Sequence, residues 1–181
     1  ITADGAGSTI NLNAFANNQV NNNGGNGVLL TAQNTGVINS LLSEDLNNNG
    51  LLDVGEDLNA NAFLDLGITG NTITGNAANG IAAVSDNGAI NNLHIGGVDN
   101  FLPDSTVLGT VGLPDNVLNN NGFGTGTGGG IAFTTLNNGT ITGSIVNNLI
   151  HNSAANSVSF TSNTGSTTLT SIQNNTLNDN G

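Results

Sequence analysis

The sequence predicts an all-β solenoid, in which short strands wind around one apolar core and stack in parallel. Three observations predict it: a repeat of about 27 residues, apolar columns that hold register between repeats, and Asn or Gly at the corners.

The first arm of the repeat recurs five times. It reads Asn18-Gln-Val-Asn-Asn-Asn23, Asn71-Thr-Ile-Thr-Gly-Asn76, Asn116-Val-Leu-Asn-Asn-Asn121, Asn148-Leu-Ile-His-Asn-Ser153 and Asn175-Thr-Leu-Asn-Asp-Asn180. Two places after each leading Asn stands an aliphatic residue: Val20, Ile73, Leu118, Ile150 and Leu177. Three places before it stands another apolar residue: Phe15, Ile68, Leu113, Ile145 and Ile172.

A second arm contributes the column Val28, Ile81, Ile131 and Val158. Two residues on lies the column Leu30, Ala83, Phe133 and Phe160, the alternation a strand requires. A third arm opens at Gly36, Gly88, Gly139 and Gly165, with Ile38, Ile90 and Ile141 two places later; Thr167 breaks that column. The cleanest full turn, Asn148 to Asn175, is 27 residues. Three short arms per turn give about five coils, stacked roughly 4.8 Å apart.

This layout explains why 37 residues are Asn and 27 are Gly. A stacked Asn at a corner can give its amide to the Asn of the neighbouring coil, and Asn tolerates the left-handed backbone that sharp corners need. Asn148 is therefore expected to lie between Asn116 and Asn175.

The register Asn-x-Ile-x-x-Asn…Gly-Ile-x-apolar resembles the right-handed parallel β-helix repeat of pectate-lyase-like and extracellular repeat proteins. The resemblance covers most of the chain outside two insertions and implies one β-helical domain over residues 1–181. The right hand agrees with the general rule for parallel crossovers. The motif is specific for fold and says little about function.

The first insertion, residues 44–67, is a tandem repeat. Its first copy fits a twelve-position calcium loop. Asp45, Asn47 and Asn49 hold positions 1, 3 and 5, Gly50 makes the turn, the Leu51 carbonyl holds 7, Asp53 holds 9 and Glu56 holds 12. Calcium takes about seven hard oxygens at roughly 2.3–2.6 Å, and alternate side chains plus one carbonyl supply them. Half of the twelve acids fall between Glu44 and Asp65, and no Lys or Arg can pair them. The second copy offers Asp57, Asn59, Asn61, the Phe63 carbonyl and Asp65, but has Ala62 for the turn glycine and Ile68 for the closing Glu. The pair resembles EF-hand-like and thrombospondin type 3-like tandem calcium loops, which implies one Ca2+ and allows a second. The second insertion, residues 96–113, reads as a surface loop, and a five-residue Gly/Thr bulge runs from Phe123 to Thr127.

Twelve acids and no Lys or Arg give a net charge of −12. Nucleic acid needs cations for its phosphates, so it is excluded as a partner, and anionic membrane surfaces are disfavoured. No apolar run reaches membrane-span length, so no membrane insertion is expected. A chain lacking Lys and Arg offers trypsin-like proteases no cleavage site, which suits an extracellular or cell-surface location. No export signal is visible in the sequence.

Catalysis is not expected. The lyases that the fold resembles abstract a proton with Lys or Arg, and this chain has neither. Asp86, Asp99, Asp104, Asp115 and His94 could supply a carboxylate pair but sit in no recognisable motif. His151 reads as a solvated residue beside the Asn ladder. The expected role is structural or adhesive, with glycan binding as the alternative. The termini read on from one another as arm follows arm, Asn180-Gly181 into Ile1-Thr-Ala-Asp4, like Asn79-Gly80-Ile81. That suggests one segment of a head-to-tail fibre with copies of itself as partners.

Overall fold

A computed structural model describes residues 1–12, 14–40, 67–96, 116–124 and 126–180. All its elements are strands, and they make five coils. The first coil holds β1 (Thr2–Asp4), β2 (Thr9–Leu12), β3 (Ala14–Ala16) and β4 (Gln19–Asn21). The second holds β5 (Val28–Gln33), β6 (Val37–Ser40), β7 (Gly67–Thr69) and β8 (Thr72–Thr74). The third holds β9 (Ile81–Asp86), β10 (Ala89–Gly96) and β11 (Asn116–Asn119). The fourth holds β12 (Ile131–Leu136), β13 (Thr140–Val146) and β14 (Asn148–His151). The fifth holds β15 (Val158–Asn163), β16 (Ser166–Gln173) and β17 (Thr176–Asn178).

Three parallel sheets result. The first runs β1-β5-β9-β12-β15 and the third β17-β14-β11-β8-β4. The middle sheet runs β16-β13-β10-β6-β2, with β3 and β7 continuing it below β10. This is a parallel β-helix, and the sequence columns are its rungs. Val28, Ile81, Ile131 and Val158 pair in register, as do Leu30, Ala83, Phe133 and Phe160. Ile10, Ile38, Ile90, Ile141 and Thr167 form the third column, and Val20, Ile73, Leu118, Ile150 and Leu177 the fourth. Their inward side chains make one continuous core, in which Leu30, Ile38, Ile73, Ile90, Leu118, Ile141 and Ile150 are fully buried. Phe133 and Phe160 stack with ring centroids 5.3 Å apart.

The third-arm glycines have a steric cause. A Cβ on Gly36 would lie 2.4 Å from the Ala3 carbonyl oxygen, and one on Gly139 2.2 Å from that of Ser85. Each corner therefore packs its backbone directly on the coil below.

Three expectations are corrected. The spacing assigned Leu113 to the column of Phe15, Ile68, Ile145 and Ile172. The place between Ile68 and Ile145 is instead held by Ile95, which pairs with both. The chain continues β10 through Ile95 and Gly96 before the second insertion begins, so the strand is completed ahead of the interruption. Gly67, expected inside the first insertion, pairs with Ala14 in β7. The N-terminal register also differs. Thr2 pairs with Thr31, which puts Ile1 level with Leu30 and Ala83 rather than with Ile81.

Candidate functional site

The most elaborated chemistry among the described residues is at the two corners that flank β4, β8, β11, β14 and β17. Each corner is built from two adjacent residues with separate tasks. The leading residue takes the left-handed backbone: Asn17, Gly70, Asn147 and Asn174 at one corner, Asn22, Gly75, Asn120, Asn152 and Asp179 at the other. Asn, Gly and Asp pay the least for that conformation. The following residue then turns inward and joins a ladder.

In the first ladder, the backbone N–H of Asn18 donates to Asn71 Oδ1 at 2.9 Å, and that of Asn71 to Asn116 Oδ1 at 3.0 Å. Asn116 Nδ2 donates to Asn148 Oδ1 at 2.8 Å, and the Asn148 backbone N–H to Asn175 Oδ1 at 2.9 Å. Each side-chain amide also donates back to a carbonyl of the preceding coil: Asn71 to Phe15, Asn116 to Ile68, Asn148 to Ile95 and Asn175 to Ile145, at 2.7–3.0 Å. The expected neighbours of Asn148 are thus its neighbours.

The second ladder repeats the scheme. Asn23 donates to Asn76 Oδ1 and Asn76 to Asn121 Oδ1, through both backbone and side chain. Ser153 then interrupts it. Its backbone N–H still reaches Asn180 Oδ1 at 3.0 Å, but its buried Oγ has no partner. Asn71, Asn76, Asn116, Asn121 and Asn148 are all buried. A buried amide is tolerable only when its donors and acceptor are engaged, and the ladder engages them.

Two smaller ladders escaped the sequence reading. At the corner ahead of β9, the backbone and side chain of Asn79 donate to Asn26 Oδ1 at 3.0 and 3.2 Å. On the outer face of the middle sheet, Asn91 donates to Asn39 and Asn39 to Asn11, at 3.0 and 3.1 Å. Thr142 and Thr168 extend that exposed row, since they pair with each other in the same sheet. The recurring Asn-Gly before the second arm signalled the first of these; alternation around Ile38 and Ile90 signalled the second.

The calcium-loop residues Asp45, Asn47, Asn49, Leu51, Asp53, Glu56, Asp57, Asn59, Asn61, Phe63 and Asp65 lie outside the described residues, as do Asp99, Asp104 and Asp115. Among the described residues, no three His, Asp or Glu side chains gather where a metal could sit. Asp86 ends β9 and accepts a hydrogen bond from Asn137 Nδ2 at 2.7 Å. Asp4 lies in the same row, two rungs below, with Gln33 between them. Hydrogen bonds from Asn34 and then Gln33 hold the Asp4 carboxyl below its ordinary range, while slight desolvation opposes them. A carboxylate so held is a poor proton donor near neutrality. His94 contacts Ser144 Oγ through Nδ1 at 2.5 Å. His151 sits at the outer end of β14, partly exposed, with Asn152 Nδ2 3.2 Å from its Nδ1.

No protein-family model, curated protein or solved structure matches this chain.

Proposed function

We propose that this chain is a non-catalytic structural or adhesive β-solenoid of the extracellular space or cell surface, stabilised by calcium in residues 44–67. The observation that carries the reading is the completeness of the stack. Five coils share one core, and the buried corner amides are spent on binding one coil to the next. Such an arrangement converts polar side chains into axial stiffness. The composition supports it: without Lys or Arg the chain lacks the bases that the lyases of this architecture use, and a charge of −12 repels acidic polysaccharide.

Calcium rests on the loop pattern and on six acids with no basic partner. The site would suit the millimolar calcium of extracellular fluid even at modest affinity. Isothermal titration of the intact chain should register calcium uptake, and Asp45→Ala with Glu56→Ala should abolish it at the first loop. A flat titration at millimolar calcium would refute the calcium reading.

One observation favours glycan binding as the second reading. The row Asn11, Asn39, Asn91, Thr142 and Thr168, exposed at its ends and half-buried between, presents amides and hydroxyls at the coil spacing. A glycan array separates the two readings: a specific hit removed by Asn39→Ala and Asn91→Ala supports the module, and an empty array supports the scaffold.

A further inference from the structure

Asparagine followed by glycine carries a latent reaction of its own. The glycine backbone nitrogen attacks the asparagine Cγ, the nitrogen gives up its proton, and ammonia leaves as a five-membered succinimide closes. Water then opens the ring at either carbonyl, giving aspartate or isoaspartate, so one amide becomes one carboxylate. The reaction needs a side chain free to approach the next peptide and a glycine N–H that no acceptor holds; glycine itself puts no Cβ in the way. Six such pairs fall among the described residues: Asn23-Gly24, Asn26-Gly27, Asn79-Gly80, Asn87-Gly88, Asn121-Gly122 and Asn138-Gly139. We propose that Asn87-Gly88 is a site of spontaneous deamidation built into the third coil, and that coil stacking holds the other five back.

Hydrogen bonds separate the pairs. The Gly27 N–H donates to the Asn79 carbonyl, that of Gly80 to the Gly129 carbonyl and that of Gly122 to the Asn76 carbonyl, at 2.8–2.9 Å. The Gly139 N–H donates to the Leu136 carbonyl at 2.7 Å. Asn23 is tied through its side-chain amide to Asn76 Oδ1 at 2.8 Å. At Asn87-Gly88 both groups are unengaged: among the described residues neither the Asn87 side chain nor the Gly88 N–H has a hydrogen-bond partner. Asn87 is also exposed, with φ 50°.

The cause is the length of this corner. Gln33, Asp86 and Leu136 pair across the second, third and fourth coils, and so do Val37, Ala89 and Thr140. Between these rungs the second coil places Asn34-Thr35-Gly36 and the fourth Asn137-Asn138-Gly139, but the third only Asn87-Gly88. In the longer corners two left-handed residues make a tight turn, and the glycine N–H closes it on Gln33 or Leu136. One residue fewer leaves Gly88 unable to close that turn. It is held by its carbonyl instead, which accepts from the Thr140 N–H and from Ser85 Oγ. The side chains differ for a second reason. Asn34 and Asn137 each donate to an aspartate of the coil below, Asp4 and Asp86, whereas the coil below Asn87 carries Gln33 in that row. Deamidation would set a new carboxylate next to Asp86. As isoaspartate it would also lengthen the backbone where a Cβ on Gly88 would lie 2.6 Å from the Ala32 carbonyl.

The test uses the 181-residue chain, folded, in mildly alkaline buffer. Samples taken over weeks are digested with chymotrypsin and mapped by mass spectrometry with fragmentation that tells Asn, Asp and isoaspartate apart. Asn87 should deamidate several-fold faster than each of the other five asparagines. In urea, where the corners are lost, the six should react at similar rates. A folded chain in which Asn138 or any other of the five keeps pace with Asn87 would overturn the proposal, and so would an order that survives in urea. Hydrogen exchange gives a second reading without any variant: the Gly88 amide should exchange several-fold faster than those of Gly27, Gly80, Gly122 and Gly139. Equal protection of Gly88 and Gly139 would overturn the proposal. Neither result bears on the scaffold reading, which calcium titration and the glycan array decide separately.

Discussion

Asparagine does two jobs in this chain, and its neighbours decide which. In Asn147-Asn148 the first residue has φ 56° and the second is 1% exposed. The first could be Gly or Asp, as Gly70 and Asp179 are at equivalent places. The second must supply both donors and an acceptor inside the wall of the coil. Asn148→Ala would take from Asn116 Nδ2 one of its two acceptors, leaving the Ile68 carbonyl, and remove the donor to the Ile95 and Val146 carbonyls. The expected cost is about 1–3 kcal/mol, read as a lower urea midpoint with unchanged slope. Asn163→Ala, at an exposed position of β15, is the control and should change stability by at most a few tenths of a kcal/mol. Equal effects from the two would show that the ladder adds nothing beyond packing.

At the scale of the element, a strand of three or four residues cannot stand alone. The strands β4, β8, β11, β14 and β17 persist because each is gripped at both corners by a ladder, and β8, β11 and β14 also bury Ile73, Leu118 and Ile150 completely. The weak point is the fourth coil, where Ser153 stands at an Asn position with its Oγ unpartnered and 2% exposed. Asn121 Nδ2 consequently donates to the Ile73 carbonyl but to no amide above. Ser153→Asn restores a carbonyl oxygen above Asn121 and should raise stability by about 1 kcal/mol. A raised melting temperature is the expected result. A fall would show that the fourth corner has closed around the smaller side chain and cannot admit the amide.

Across the whole molecule, the core and ladders run through the five coils, whereas the clustered acids occupy the first insertion. Stability and calcium should therefore be separable. Chelation should abolish the calcium-dependent change in residues 44–67, seen as new proteolytic cuts there by an acid-specific protease. The main melting transition of the solenoid should move little, because Ile38, Ile90, Leu118 and Ile141 keep every contact. Loss of the β-sheet circular dichroism signal on chelation would show instead that the insertion nucleates the coils around it. With twelve carboxylates and no base, bound calcium would reduce the net negative charge and should therefore lower the solubility limit.

The sequence by itself determined the coil, its register and the sites of its corners. Val28 falls in line with Ile81, Ile131 and Val158 because a one-residue slip would turn every inward side chain to water. Periodicity of this kind is local and survives insertions. Only the tertiary structure decided what spacing leaves ambiguous. Leu113 and Ile95 both precede Asn116 and both are apolar; Ile95 takes the column because β10 runs unbroken onto the coils beside it. Ile1 looked equivalent to Ile81 by its neighbours, yet pairing through Thr2 and Thr31 places it two residues further on. The polarity of the ladders was likewise unreadable, since an Asn can donate upward or downward with the same side chain. Which it does depends on the backbone N–H beside it, and the corner geometry fixes that in three dimensions. The proposed calcium loop is the reverse case: its pattern is legible within twelve consecutive residues because a loop of this kind would wrap an ion with one short stretch of chain.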